Sequence, residues 1–277
     1  LYLIIAIIIT LTSNILISII VNKEYSDLQH SPITLISTEE IITCARKAKA
    51  AGATRFSIVT GGRSVEPGPD FENIIRAIPV IRDTVGIEIC CSLGLINKTQ
   101  LKALKAAGIT RYHSNIETAP SYFPSICTTH TFADKERMVK EVIAAGLRPC
   151  CGGIFGLGES QHQRIEMAYT LKRLGIDSVP VNILNPIKGT ALENVRPPSP
   201  WEILRIFSVL RFILPKAQIR TAGGREINLR SMQAYALTAG ADGLMIGGYL
   251  TTKGNETHVD RQMLQDLNRR PAIPCLS

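Results

Sequence analysis

Two pairs of adjacent cysteines, Cys90–Cys91 and Cys150–Cys151, are the residues of this chain best suited to chemistry. Adjacent cysteines bridge poorly at normal disulfide geometry, so we expect both pairs to stay reduced. A free buried cysteine is commonly a small apolar core residue. Thiolates are also soft ligands that suit iron–sulfur clusters. The pairs therefore indicate either core packing or an iron–sulfur site.

Other polar residues stand near the ends of strand-like runs, namely Ser57, His113, Asn115, Asn182 and Arg220. In a barrel of parallel strands, the reactive residues lie at the C-terminal ends of the strands. At the C-terminal end of such a barrel, one thiol from each cysteine pair would lie near the guanidinium of Arg220. This combination would be unusual for an apolar core, and it favours an iron–sulfur site. Taken singly, Arg220 could instead pair with a carboxylate, and His113 could be a hydrogen-bonded lining residue.

The elements that must position these residues alternate from residue 37 onward. Ser37 and Glu40 belong to the capping box of a first helix that stops at Gly52. Strand-like runs follow at 54–60, 87–92, 110–115, 147–154, 178–184, 218–222 and 243–247, separated by helices at 71–84, 98–107, 134–145, 161–174, 200–214 and 229–239. KAAGATRF (49–56) recurs as KAAGITRY (105–112). This alternation predicts an α/β fold, a (β/α)8 TIM-type barrel.

The series contains seven strands, whereas a closed barrel of this type needs eight and opens with a strand. Residues 1–21 are uncharged, contain nine isoleucines and are long enough to cross a bilayer. They are either a membrane anchor or a segment foreign to the fold, from a fragment edge, a gene-prediction error or a wrong reading frame. We therefore predict an incomplete barrel, with its first strand missing or replaced by the hydrophobic segment. The expected division is residues 1–21, then a barrel domain with a C-terminal tail over 22–277.

The composition narrows the class of protein. The 277 residues carry a net charge of +8, with basic residues scattered rather than clustered, which fits a solvated surface or a small anionic substrate. No nucleic-acid motif is present, so we expect no nucleic-acid partner. Seven cysteines with two vicinal pairs indicate a reducing, cytoplasmic location, with anchoring through residues 1–21 as the alternative.

Several longer patterns in the sequence belong together. GGIFGLGE (152–159) has the form Gly-x-Ile-x-Gly-x-x-Glu. The others, in order, are YHSNIET (112–118), TTHTF (128–132), VPVNIL (179–184), NPIKGTAL (185–192) and IRTAGGRE (219–226). The first fits a pattern of radical S-adenosylmethionine enzymes, and the set resembles the biotin synthase family of that superfamily in order and spacing. The resemblance covers about residues 35–269.

The resemblance implies a reaction, cofactors and partners. Biotin synthase inserts sulfur into dethiobiotin. A 4Fe–4S cluster cleaves S-adenosylmethionine to a 5′-deoxyadenosyl radical, and an auxiliary cluster, 2Fe–2S or 4Fe–4S, donates the sulfur. An electron donor such as flavodoxin or ferredoxin and a homodimeric assembly are expected on the same basis.

The resemblance also implies roles for individual residues. Cys90, Cys150 and Arg220 match ligands of the auxiliary cluster. Ser57 stands where better-studied members carry a third cysteine ligand, which leaves the type of the auxiliary cluster open. Because successive strand residues face opposite sides, Cys90 and Cys150 should face the barrel interior, and Cys91 and Cys151 the helices.

The remaining matches concern the two substrates. Asn115 and Glu117 match the pair that holds the ribose of S-adenosylmethionine, and the turn that packs on its adenosyl group includes Gly152, Ile154 and Gly156. Asn182 and His113 match contacts to the ureido ring of dethiobiotin.

One departure from the family affects activity directly. The radical cluster is held there by Cys-x3-Cys-x2-Cys after the first strand, but residues 22–36 contain no cysteine, and Cys44 lies inside the first predicted helix. We therefore expect this chain to be inactive as it stands. The alternatives are a non-catalytic, membrane-tethered barrel that binds a small ligand or partner, and a Schiff-base barrel using Lys188 or Lys253.

Overall fold

The computed structural model describes residues 4–11, 37–60, 63–246 and 254–269. Within them, parallel strands form one sheet in the order β5-β4-β3-β2-β1-β9-β8-β7-β6. The strands are β1 (Ile4–Leu11), β2 (Arg55–Thr60), β3 (Glu88–Ser92), β4 (Arg111–His113), β5 (Arg148–Cys150), β6 (Gly153–Phe155), β7 (Ser178–Ile183), β8 (Gln218–Thr221) and β9 (Gly243–Ile246).

The sheet closes into a barrel because its two end strands are pieces of one stretch of chain. Only Cys151 and Gly152 separate β5, which pairs with β4, from β6, which pairs with β7. The eight strand positions of a TIM-type barrel are thus all occupied, and the predicted fold class is confirmed.

The first strand comes from the hydrophobic N-terminal segment. Ile4–Leu11 lies between β2 and β9 and pairs with both in parallel. Of the two alternatives that the sequence left open, the structure has the replaced strand rather than the missing one. No helix in the part of the chain that the structure describes is both long enough and apolar enough to cross a bilayer.

Helices follow the strands around the barrel. They are α1 (Thr38–Ala50), α2 (Pro69–Thr84), α3 (Lys98–Ala107), α4 (Phe123–Ile126), α5 (Phe132–Ala144), α6 (Gln161–Arg173), α7 (Pro200–Ile213), α8 (Arg225–Leu229), α9 (Gln233–Ala239) and α10 (Thr257–Asp266). The prediction of a single helix over residues 229–239 was wrong. Arg230 has a positive φ of 53°, so α8 ends there and a short 3₁₀ turn, Arg230–Met232, precedes α9.

Capping boxes fix where five of these helices begin. In each box a side chain accepts from the N3 backbone N–H and the N3 side chain accepts in return, which satisfies donors that the first turn leaves free. The box predicted at Ser37 and Glu40 is confirmed. The other four begin at Asn97, Thr131, Ser160 and Ser199.

Cationic side chains near the end of one helix also cap the next. Lys49 donates from Nζ to the Gly86 carbonyl at 2.8 Å, and Arg82 donates from Nη1 to the Ala107 carbonyl at 3.4 Å. A helix C-terminus carries partial negative charge, so each contact is favourable. At Lys49, the repeated Lys-Ala-Ala-Gly sequence therefore has a structural role in joining neighbouring α/β units.

The apolar core includes residues from both the strands and the helices. Strand residues such as Phe56, Cys91, Cys151 and Ile219 belong to one continuous cluster with apolar helix side chains. Alternate strand residues point the other way, into the barrel, where buried polar side chains predominate. The interior is therefore the place to look for a functional site.

Candidate functional site

The two vicinal cysteine pairs divide between the core and the barrel interior. Cys91 and Cys151 belong to the apolar core, whereas Cys90 and Cys150 do not, and the thiols of Cys90 and Cys150 lie close enough to shift each other's pKa. All four are buried. The thiols face as strand alternation predicts, and residues 60 positions apart meet inside the barrel.

Two nitrogen side chains converge on the Cys150 sulfur. Arg220 approaches with Nη2 at 2.6 Å and His113 with Nδ1 at 3.1 Å. Arg220 is held by a second hydrogen bond, from Nη1 to the Ser178 hydroxyl at 2.8 Å. We did not single out Ser178 from the sequence, although its position four residues before Asn182 places both on the inward face of β7.

The four thiols differ in acidity for identifiable reasons. Burial acts to raise the pKa of Cys150, but the Cys90 hydrogen bond and the charges of Arg220 and His113 outweigh it and lower that pKa well below its ordinary value. The same hydrogen bond, together with burial, raises the pKa of Cys90. Burial raises the pKa of Cys91 and Cys151. Of the interior pair, Cys150 is therefore the more acidic thiol.

Ser57 lies on the strand next to the thiols. In the β2–β3 ladder Ser57 is directly opposite Cys90, and its side chain is buried. The structure thus places Ser57, Cys90, His113, Cys150 and Arg220 around one part of the barrel interior.

A layer of buried charge lies on the N-terminal side of the thiols. Arg55 and Glu88, two positions before Ser57 and Cys90, form an ion pair of 2.8 Å. Arg111 is 1% exposed and donates from Nη1 to Asp177 at 2.6 Å. Arg55 and Arg111 occupy equivalent positions in the repeated sequences KAAGATRF and KAAGITRY, and this repeat is the signal by which the layer could have been found.

The other predicted residues form a second cradle at the C-terminal strand ends. Asn115 accepts from the Gly152 N–H at 3.0 Å, and the Glu117 carbonyl accepts from the Ile154 N–H at 2.7 Å. The Glu117 carboxylate forms a 3.2 Å ion pair with the buried Lys135, which we did not predict. Glu117 has a positive φ of 67°, a conformation uncommon for a side chain of this kind.

Glycine is required in this cradle because neighbouring carbonyls come very close. A Cβ atom at Gly152 would collide with the Pro180 carbonyl, and one at Gly153 with the Glu117 carbonyl. The backbone at Gly152 can therefore approach β7 closely, and the backbone at Gly153 can approach the segment after β4.

Glu159 organises the glycine-rich turn that follows. Its carboxylate accepts from the N–H groups of Gly156 and Leu157 and pairs with Arg164 at 2.7 Å. Gly156 has a φ of 90°, in the region that favours glycine. The turn is thus held by charge-assisted hydrogen bonds to one buried carboxylate.

Asn182 links three segments around the same mouth. Its Nδ2 donates to the Gly153 carbonyl at 3.2 Å, and its Oδ1 accepts from the Gly223 N–H at 3.0 Å. Asn182 is only partly buried. Lys188 is exposed, which disfavours Schiff-base chemistry there, and Lys253 lies outside the described residues.

The residues fit one of the two iron–sulfur sites that the sequence suggested. Cys90 and Cys150 offer two soft sulfurs, and the buried Arg220 contacts the Cys150 sulfur, which is the donor set expected of an auxiliary site. For the radical cluster, residues 1–43 of the sequence offer no cysteine ligand. Within the described ranges, no group of three or more His, Cys, Asp or Glu side chains is arranged to hold a metal ion.

Sequence comparisons point to one family. Residues 23–171 match the Radical SAM superfamily, and residues 180–270 match the Biotin and Thiamin Synthesis associated domain. The chain is 49% identical over 242 residues to biotin synthase from Geotalea daltonii, covering 87% of this chain and 74% of that protein. It is 48% identical over 238 residues to biotin synthase from Carboxydothermus hydrogenoformans, covering 86% and 73%.

Solved structures agree with the fold. Methylornithine synthase (PylB) superposes with a TM-score of 0.79 at 18% identity, over 98% of this chain and 84% of that one. The hydrogenase maturase HydG superposes with a TM-score of 0.77 at 15% identity, over 98% and 64%. These similarities concern the fold. The family matches and the relatives at 48–49% identity establish that the chain belongs to the biotin synthase family of radical S-adenosylmethionine enzymes.

Proposed function

We propose that this chain keeps the sulfur-donating and substrate-binding parts of a biotin synthase but does not itself generate the radical. The observation that carries the proposal is the convergence of Cys90, Cys150 and Arg220 inside the barrel, beside a glycine-rich cradle. The substrates would be dethiobiotin and S-adenosylmethionine, as in the relatives named biotin synthase.

The interior thiols would hold an auxiliary iron–sulfur cluster, 2Fe–2S or 4Fe–4S. That cluster, when bound, supplies the sulfur atom that enters the product. Arg220 is anchored by Ser178, so its guanidinium is held in a fixed position beside Cys150. Ser57, opposite Cys90, is positioned to contribute an oxygen on the neighbouring strand.

The cradle at the C-terminal strand ends would bind S-adenosylmethionine. Asn115 and Glu117 are the candidates for its ribose hydroxyls, and the backbone from Gly152 to Gly156 forms a surface without obstructing side chains for the adenosyl group. Lys135 keeps the Glu117 carboxylate in place through their ion pair.

Dethiobiotin would lie between this cradle and the thiols. Asn182 presents an amide, and amides pair with a ureido group through complementary donors and acceptors. His113, whose Nδ1 contacts Cys150, lies between the two regions and is the second candidate for a ureido contact. An external electron donor, a homodimer and a cytoplasmic location remain predictions. The six cysteines in the described residues are all free, which favours a reducing compartment.

The radical step requires a cluster ligated by three thiolates, and this chain has no candidate for it. No cysteine precedes Cys44, which lies in α1 rather than in a loop after the first strand. We infer that the chain binds S-adenosylmethionine without cleaving it.

The test is to reconstitute the chain with iron and sulfide under anaerobic conditions, then add a reductant, S-adenosylmethionine and dethiobiotin. We expect binding of both small molecules by calorimetry, and neither 5′-deoxyadenosine nor biotin among the products. Formation of 5′-deoxyadenosine would overturn the proposal that the radical step is absent. Failure to bind dethiobiotin would overturn the assignment of the substrate site.

A further inference from the structure

Arg55 has a buried hydrogen-bond donor that nothing in the described part of the chain satisfies. Its side chain is 5% exposed. Nε and Nη2 donate to one oxygen of Glu88, at 3.0 and 2.8 Å, whereas Nη1 has no partner among the described residues. A buried donor without an acceptor costs roughly 1–3 kcal/mol, so such a group calls for an explanation.

The unsatisfied donor lies near the thiols rather than near the helices. Arg55 is two residues before Ser57 on β2, so both side chains face the barrel interior. Burial lowers the pKa of Arg55, and repulsion by the guanidinium of Arg220 lowers it further, so the two guanidiniums lie close enough to interact.

The excess of buried positive charge around Arg55 indicates which kind of acceptor its Nη1 would bind. Arg55, Arg111 and Arg220 are all buried in this part of the barrel, and their carboxylate partners are Glu88 and Asp177. A neutral water would satisfy the Arg55 donor but would leave its repulsion with Arg220 in place. An anion between the two guanidiniums would do both.

We propose that Arg55 is a positioning residue of the auxiliary site, whose free Nη1 donates a hydrogen bond to an inorganic sulfide of the cluster held by Cys90, Cys150 and Arg220. The inference rests on the proposed function, because it requires that cluster. In this arrangement Arg55 would bring a second guanidinium to the cluster, while its Nε and Nη2 donate to Glu88.

The test compares two variants that break the same ion pair. Arg55→Gln removes the guanidinium, whereas Glu88→Gln breaks the pair and leaves the guanidinium in place. Arg148→Gln is a further control, since Arg148 contacts Glu88 at 3.5 Å from an exposed position. Each variant is reconstituted with iron and sulfide. We then measure the iron and acid-labile sulfide bound per chain, the visible spectrum, and the rate at which sulfide is released from the chain and trapped by a zinc chelate. Circular dichroism monitors folding.

We expect Arg55→Gln to lose sulfide about tenfold faster than the unsubstituted chain and to show a shifted visible spectrum. Glu88→Gln and Arg148→Gln should stay within about twofold. The inference about Arg55 would be overturned if Arg55→Gln lost sulfide at the same rate as the unsubstituted chain, or at the same rate as Glu88→Gln. Either result would leave the proposed function intact. If the unsubstituted chain takes up no cluster at Cys90 and Cys150, the proposed function fails as well.

If Arg55→Gln does not fold, the double variant Arg55→Gln/Glu88→Gln replaces it, because neutralising both partners leaves no unpaired buried carboxylate. The same tenfold difference from Glu88→Gln is then expected. A double variant that retains sulfide as well as Glu88→Gln would again contradict a role for Arg55.

Discussion

Arg220 and Cys150 are 70 residues apart in the sequence, and Nη2 of the arginine lies 2.6 Å from the cysteine sulfur. The contact crosses the barrel interior from β8 to β5 and is buried from solvent. Ser178 holds the other end of the guanidinium, so the arginine is fixed before any cofactor arrives. This preorganisation is why we regard the pair as the centre of the site rather than as an incidental core contact.

The two members of the second cysteine pair should differ in their response to mutation. Cys150→Ala removes a sulfur from the interior site, so we expect no iron–sulfur absorbance after reconstitution. Cys151→Ala removes a sulfur from the apolar core, so we expect normal absorbance and a loss of about 1 kcal/mol in unfolding free energy. Equal absorbance in the two variants would contradict the assignment of Cys150.

Gly152 should not tolerate even alanine. A Cβ there collides with the Pro180 carbonyl, which belongs to a neighbouring strand and cannot move freely. We expect Gly152→Ala to lower the unfolding free energy by about 2–3 kcal/mol in urea titrations. Gly86→Ala is the matched control. It has a φ of 63° with open space around the added atom, so only the conformational penalty of about 1 kcal/mol applies. A Gly152 variant as stable as the Gly86 variant would contradict the close approach.

Glu159 should control the affinity for S-adenosylmethionine through the glycine turn. Glu159→Gln weakens the charge-assisted bonds to Gly156 and Leu157, so the turn loses its fixed shape. We expect about a tenfold weaker Kd by calorimetry. Glu202→Gln is the control, because Glu202 sits in the capping box of α7 and makes no bond to the turn. An unchanged Kd in Glu159→Gln would show that the turn is not part of the binding site.

Asp134 should make stability depend on pH in the acid range. Backbone and side-chain hydrogen bonds from Thr131 lower its pKa from 3.8 to about 2 in the folded chain. Because the folded-state pKa is the lower one, its contribution is present above about pH 4 and is lost as pH falls towards about 2. The Tm difference between the unsubstituted chain and Asp134→Asn should therefore shrink over that range in thermal melts. A difference that stays constant would contradict this capping role.

The same carboxylate bears on function because it caps the helix that carries Lys135. Asp134 accepts from the Thr131 backbone N–H at 2.9 Å, at the first turn of α5. Lys135 follows directly and pairs with Glu117 in the cradle. Fraying of this turn at low pH would thus reach the predicted ribose contact.

The sequence predicted the parts of the site that depend on periodicity. Alternation along a strand is enough to separate Cys90 from Cys91 and Cys150 from Cys151, and glycines after helices mark each α/β unit. The capping box at Ser37 could also be predicted from the sequence, because it depends on four consecutive residues.

The sequence could not predict which side chains pair between separate segments. Ser178 and Lys135 are an ordinary serine and lysine in their own segments. The pairing of β7 with β8 brings Ser178 to Arg220, and the packing of α5 beside the segment after β4 brings Lys135 to Glu117. The source of the first strand was also open. Residues 4–11 are apolar enough for a strand or for part of a membrane segment, and only their pairing with β2 and β9 decides between the two.

The most direct test of the central claim is to count the iron–sulfur clusters that the chain binds, by Mössbauer spectroscopy after anaerobic reconstitution with ⁵⁷Fe and sulfide. We predict a single cluster, whose signal disappears in Cys150→Ala and persists in Cys151→Ala. A second cluster that survives loss of both Cys90 and Cys150, or the absence of any cluster in the unsubstituted chain, would contradict the claim that this chain keeps the auxiliary site and lacks the radical one.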